Sequence, residues 1–68
     1  MAGRLKKIVD HVKAKSFFKN LAISMLNMKL NTDVERFSDN TPDDPELEKK
    51  LIEAAKEVLG KDKFDLVL

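Results

Sequence analysis

The 68-residue sequence contains no cysteine, no tryptophan, no tyrosine and a single histidine, His11. Without cysteine, neither a disulfide nor a thiolate-bound metal can stabilise the fold. With one histidine, a zinc site within one chain would need carboxylates for nearly all its ligands, which is unusual for this metal. The sequence therefore predicts no metal centre and no cofactor.

Long apolar runs are also missing. No stretch approaches the roughly 20 apolar residues that cross a bilayer, and charged residues interrupt the N-terminal segment, which argues against a secretory signal. We therefore expect a cytoplasmic protein. A single domain of this size has a marginal core. Since disulfides and metals are excluded, association with another copy is the favoured source of further stability.

Charges of both signs are frequent but unevenly distributed. Residues 1–30 contain seven basic residues and one acidic residue, residues 31–48 contain one and seven, and residues 49–68 contain five and four. Opposed blocks of this kind attract each other within one chain or between chains. The simpler alternative is two solvated faces, because exposed charges mostly keep a domain soluble.

The spacing of apolar residues predicts three helices, at about 4–14, 16–30 and 45–59. In the first, Leu5 to Val12 follow the i, i+3, i+4, i+7 pattern of an amphipathic helix. The fold class is therefore all-α, a small single three-helix domain over residues 1–68 that is completed by oligomerisation.

Capping residues set the predicted ends of these helices. Ser16 can cap the second helix, although no breaker precedes it and one continuous helix with the first is an alternative. Asp44 as cap and Pro45 as first helical residue begin the third helix, and Gly60 lies where a left-handed C-terminal residue is expected.

The remaining segments predict a turn of helix, a link and a tail. Thr32 and Glu35 have the T-x-x-E spacing of a capping box, which allows one short helical turn. Residues 38–45 form an acidic, turn-rich link with two prolines. The tail, 61–68, alternates apolar and polar residues, so it either adds a strand to a partner's sheet edge or folds over its own core.

The sequence SFFKNLAISMLNMKL, residues 16–30, is the most apolar part of the chain, with nine apolar residues of fifteen. On a helical wheel they cover an arc of about 240°, whereas a surface helix needs an apolar stripe of little more than about 100°. We therefore predict that this helix serves both the core and an interface with a second copy, a symmetric homodimer being the simplest oligomer. The residues divided between the two are Phe17, Phe18, Leu21, Met25, Leu26 and Met28.

Two polar residues on this helix, Asn20 and Asn27, are seven positions apart. At that spacing polar side chains can fix the register of associating helices. The simpler interpretation is that they form the solvent-facing edge of the helix.

Catalytic residues are not indicated. His11 follows Asp10, but adjacent helical residues point in different directions and no nucleophile is placed beside them. His11 is expected on or beside the solvent face of the first helix. We therefore predict that the chain is not an enzyme.

The first helix carries the strongest charge signal. Its basic residues adjoin an apolar stripe, a combination that suits an anionic membrane surface or nucleic-acid phosphates. This patch consists of Arg4, Lys6, Lys7, Lys13, Lys15 and Lys19. The first-ranked function is a non-enzymatic protein interaction or regulatory module that self-associates; charge-driven binding of membrane or nucleic acid is the alternative.

Overall fold

The computed structural model describes residues 3–67, which form three α-helices and one short 3₁₀ turn. Helix α1 is Arg4–Lys15, α2 is Lys19–Leu30 and α3 is Pro45–Leu59, and the 3₁₀ turn is Val34–Arg36. No strand occurs between residues 3 and 67. The predicted all-α class, with three helices and one short helical turn, is confirmed.

Each helix contributes one face to a shared core. The three helices contact one another in every pairing, and the 3₁₀ turn packs against α1 and α2. Most of the burial comes from aliphatic side chains, whose removal from water is the main favourable term in folding. The buried core side chains are Leu5, Ile8, Val9, Val12, Ala22, Ile23, Leu26, Val34, Phe37, Leu51, Ala54 and Ala55.

Helices α1 and α2 are separate, and α2 begins three residues later than predicted. Ser16 has extended backbone angles and ends α1, and its hydroxyl is buried without a hydrogen-bond partner. The N-cap of α2 is Phe18, which offers no side-chain acceptor to the first turn. The prediction that Ser16 caps α2 is therefore wrong. The chain uses residues 16–18 to turn, so that both helices face the same core.

The ends of α3 agree in part with the predicted capping residues. The Asp44 carboxylate accepts a hydrogen bond from the Leu47 N–H at 3.3 Å, and Pro45 is the first helical residue. Gly60 has a positive φ of 91°, but its ψ of 147° lies outside the left-handed helical region expected for it. The chain therefore leaves α3 in an extended direction, towards the tail.

The short helical turn has a different cap from the one predicted. Asp33 Oδ1 accepts the Glu35 N–H at 3.0 Å, whereas the hydroxyl of Thr32 accepts a hydrogen bond from Arg36 Nε at 3.3 Å. A short aspartate side chain readily bonds the backbone two residues ahead. Asp33 is therefore the cap in place of Thr32, and the predicted short turn is a 3₁₀ turn.

The acidic link before α3 covers the beginning of α1. The Thr41 carbonyl accepts the Gly3 N–H at 3.2 Å, and Asp43 Oδ1 accepts the Arg4 N–H at 3.3 Å. Gly3 has φ 92°, and a Cβ there would lie 3.3 Å from the Asp39 carbonyl oxygen. Glycine is therefore favoured at position 3 by both its backbone angle and the close approach of the link.

The tail folds over its own core in the part that the structure describes. Phe64 and Leu66 pack against the core, while Asp65 and Val67 are exposed. This matches the predicted alternation, but residues 61–67 form a turn followed by a segment without regular secondary structure, and no strand. The last residue of the predicted tail, position 68, lies outside the described residues.

Candidate functional site: an exposed apolar ridge on the second helix

Five large apolar side chains lie exposed along α2 and the turn before it. Their exposed fractions are 92% for Phe17, 69% for Phe18, 59% for Leu21, 38% for Met25 and 83% for Met28. We call these five residues the apolar ridge. Single exposed apolar side chains are ordinary on a protein surface, but a contiguous group marks a site of interaction.

The ridge and the core lie on different faces of α2. At about 100° per residue, Leu21, Met25 and Met28 fall within an arc of about 60°. The buried residues Ala22, Ile23 and Leu26 fall on another arc, whose centre is about 140° away. The helix therefore has two apolar faces, and the single chain covers only one of them.

Leu26 was predicted among the residues divided between core and interface, and it lies on the core side of that division. Its side chain is fully buried, whereas the other five predicted residues make up the ridge. The wide apolar arc gave no means of separating Leu26 from Met28. The separation depends on α1 and α3, which both contact α2.

The N-terminal end of the ridge is aromatic and borders an open groove. The rings of Phe17 and Phe18 meet edge to face, with centroids 5.4 Å apart and an angle of 69° between the planes. Beside them the groove has a volume of about 170 Å³. Its walls consist of Lys15, Ser16, Phe17, Phe18, Leu21, Ala22, Met25, Val58, Leu59 and Lys63. The ridge is therefore apolar along its length with lysines at its edge.

Asn27 has a structural role that the sequence did not indicate. Its Oδ1 accepts the backbone N–H of the buried residue Val34 at 2.7 Å, which joins α2 to the 3₁₀ turn. Asn20 is exposed at the other end of the helix. The two asparagines therefore have unlike environments, and Asn27 is a connector within the chain rather than an edge residue.

The predicted basic patch is largely paired with carboxylates of the same chain. Four of its six members have such a partner. These contacts are Arg4 with Glu48, Lys6 with Asp10 at 2.7 Å, Lys13 with Glu35 at 3.0 Å and Lys15 with Asp65 at 3.4 Å. Lys7 and Lys19 are exposed and form no ion pair within residues 3–67. The opposed charge blocks thus meet in part within one chain.

Two of these pairs alter proton affinities. The hydrogen bond to Glu48, followed by the charge of that carboxylate, raises the pKa of Arg4. In the same way, the hydrogen bond to Asp10 and then its charge raise the pKa of Lys6 above the ordinary value of 10.5. Both cations therefore stay charged at any pH in which a cell operates.

His11 lies under the tail rather than on an open face. Its ring meets that of Phe64 edge to face at a centroid distance of 5.2 Å, and its Nε2 lies 3.2 Å from Asp65 Oδ1. The His11 side chain is 12% exposed. Sequence reasoning missed this contact because the two segments are more than fifty positions apart.

Two other classes of site are absent from residues 3–67. No cluster of three or more histidine, aspartate and glutamate residues there is arranged to hold a metal ion. None of the helices in this range has the length and apolar character needed to cross a bilayer. No protein-family model matches the chain, and no curated protein or solved structure shows significant similarity to it.

Proposed function

We propose that this chain is a non-enzymatic protein interaction module that self-associates through the apolar ridge, as a homodimer in the simplest case. The supporting observation is the second apolar face of α2, with Phe17 and Met28 almost fully exposed at its two ends. A cytoplasmic regulatory role is part of this proposal. The interaction surface supports the regulatory part of it.

The energetic argument is that covering the ridge adds apolar burial to a small core. Each buried apolar side chain of this size contributes about 1.5–3 kcal/mol. A domain of this length has a total stability of about 3–10 kcal/mol. The gross gain from covering several ridge side chains in each of two chains is therefore comparable with the stability of the monomer. The loss of translational and rotational freedom on association, about 4–15 kcal/mol, is set against this gain.

The two methionines suit an associating surface. A methionine side chain is unbranched and polarisable, so it adapts to a facing surface more readily than a β-branched one. Met25 and Met28 lie next to each other on the exposed side of α2, while the core side of that helix holds Ala22, Ile23 and Leu26. The adaptable side chains are thus on the face that the chain leaves open.

Light scattering and thermal melting over a wide concentration range test this function. We expect the molar mass to rise from one chain to two between nanomolar and millimolar concentration, and the melting temperature to rise with it, because association stabilises only the folded state. A chain that stays monomeric over the whole range, with an unchanged melting temperature, would contradict the proposal.

The alternative is charge-driven binding of an anionic membrane surface or nucleic acid through the basic first helix. Lys7 and Lys19 are the members of the patch that support it, because the other four lie against carboxylates. Such binding would weaken steeply with added salt. Titration with anionic vesicles and with DNA at low salt tests it, and the absence of binding to both would exclude it.

A further inference from the structure

We propose that the second copy docks antiparallel, with α2 against α2 of the partner and the twofold axis passing beside Ser24. This inference rests on the proposed self-association and specifies its geometry. The interhelical seam is made by Phe18, Leu21, Met25 and Met28, the part of the ridge at or within α2.

The spacing of the seam favours another helix as the occupant. Its four residues are separated by three, four and three positions, which is the a/d repeat of two helices that pack with interlocking side chains. All four are exposed in the single chain. A partner with a flat apolar surface would not depend on this periodicity. A partner helix would, because its side chains interlock with one seam residue at every turn.

Charge sets the direction of the partner helix. The N-terminal end of the ridge has Lys19 and Lys63, neither of which forms an ion pair within residues 3–67. The C-terminal end is followed by Asp33, which is exposed and lines the surface beside Met28. A parallel pair would place lysines next to lysines, whereas an antiparallel pair places the lysines of each copy near Asp33 of the other.

The helix dipoles act in the same direction. The N-terminus of α2 carries a partial positive charge and its C-terminus a partial negative charge. The helix itself contains no acidic residue, so Lys19 adds to the positive end without compensation. Antiparallel packing brings the positive end of each α2 beside the negative end of its partner. The charges thus favour a second copy, because the same chain supplies both complementary ends.

The register follows from the length of α2, whose midpoint lies between Ser24 and Met25. When the midpoint of α2 lies on the twofold axis, Leu21 faces Met28 of the partner and Met25 lies beside Ser24 of the partner. Ser24 is exposed and small and flanks the seam, about 40° from Met28 on the helical wheel, so it leaves room for the partner helix beside the axis. Lys29 takes no part, because its ammonium lies 2.6 Å from Glu57 on α3.

This symmetry makes a prediction that a parallel pair does not share. A twofold axis perpendicular to the two helices keeps Ser24 of both copies on the same side of the seam and close together. In a parallel pair the axis runs along the helices, which places the two Ser24 residues on opposite sides and brings Met28 next to its own counterpart. Of these two residues, Ser24 therefore lies near its own counterpart only in the antiparallel pair, and Met28 only in the parallel pair.

Disulfide cross-linking can distinguish the two arrangements, because the chain has no cysteine of its own. The variants are Ser24→Cys, Met28→Cys and Asn20→Cys, each as the full chain under mild oxidation. A disulfide needs Cβ atoms about 3.5–4.5 Å apart. Asn20 serves as the matched control, because in the antiparallel pair its two copies lie about 13 Å apart along the helix axes.

We expect Ser24→Cys to form a covalent dimer at least tenfold faster than either Asn20→Cys or Met28→Cys. Faster self-linking of Met28→Cys in a dimeric sample would overturn the antiparallel geometry and leave the proposed self-association intact. Equal rates for all three in a dimeric sample would also overturn it. A wild-type chain that is monomeric by light scattering would instead overturn the proposed function, and binding of that monomer to anionic vesicles would support the charge-driven alternative.

Discussion

Helices α1 and α2 have the same length, twelve residues each, but the chain covers them to different extents. In α1 the apolar stripe from Leu5 to Val12 is buried, and four basic side chains of the helix contact carboxylates. In α2 one apolar face is buried and a second is exposed, with no acidic residue anywhere on the helix. The first helix is thus complete within one chain, and the second is not. Association is therefore expected to depend on α2.

The largest expected effect separates the two faces of α2. Leu26→Ala removes a fully buried side chain, and we expect it to lower the free energy of unfolding by about 2–5 kcal/mol. Met28→Ala removes a side chain that is 83% exposed and should change the stability of the monomer by less than about 0.5 kcal/mol.

Denaturant titration at low protein concentration measures both changes, since dilution keeps the chains monomeric. Equal losses of stability for the two variants would show that α2 does not have distinct core and outer faces.

The next effect is on association rather than on folding. Leu21→Asp places a charge in the middle of the ridge, and we expect dimer formation to weaken by at least about 30-fold, the size of an interface hot spot of about 2 kcal/mol. The free energy of unfolding of the monomer should be little changed, because Leu21 is already 59% exposed.

Sedimentation equilibrium measures the dimer affinity, and Asn20→Asp is the matched control. It adds the same charge one residue away, off the ridge, and should weaken the dimer by less than about threefold. If both variants weaken association equally, net charge rather than the ridge controls it.

A smaller effect concerns the link between α2 and the 3₁₀ turn. Asn27→Ala removes the acceptor of the Val34 N–H, and because Val34 is fully buried we expect a loss of about 1–3 kcal/mol for the unsatisfied donor. The free energy of opening that hydrogen exchange measures at the Val34 amide should fall by a similar amount. Asn20→Ala is the control, since the Asn20 side chain forms no hydrogen bond within residues 3–67. Equal losses for the two variants would show that the Asn27 contact contributes nothing.

The differences between α1 and α2 also show what the sequence can predict. The all-α class and the start of α3 were predictable, because periodic apolar residues and the Asp44–Pro45 pair are local signals. The form of the turn between α1 and α2 was not, since residues 16–18 contain no glycine or proline and Ser16 does not cap α2.

The candidate site was predictable only as a group of residues. The wide apolar arc identified α2 as having more than one apolar face, but the separation of Leu26 from Met28 depends on where α1 and α3 lie. The contact of His11 with Phe64 likewise depends on how the tail returns to α1. Both the separation of Leu26 from Met28 and the contact of His11 with Phe64 depend on packing between distant segments, which local sequence patterns do not predict. The role of the ridge in association stays a prediction.

The smallest expected effect tests the completed side of α1, where Lys6 and Asp10 form an exposed i,i+4 pair. The folded-state pKa of Lys6 lies above its ordinary value of 10.5, with the hydrogen bond to Asp10 as the largest cause. The pair therefore stabilises the fold fully below pH 10.5, and this contribution is lost as the pH rises through the raised pKa. We expect Lys6→Gln to be slightly less stable than wild type at neutral pH and equal to it at strongly alkaline pH. Lys7→Gln, which removes an exposed lysine without an ion pair, should show no such convergence.

Denaturant titrations of the three proteins across this range measure the difference. A gap between wild type and Lys6→Gln that stayed constant to the highest pH would mean that the Lys6 charge contributes nothing, and that burial of the apolar stripe alone completes α1.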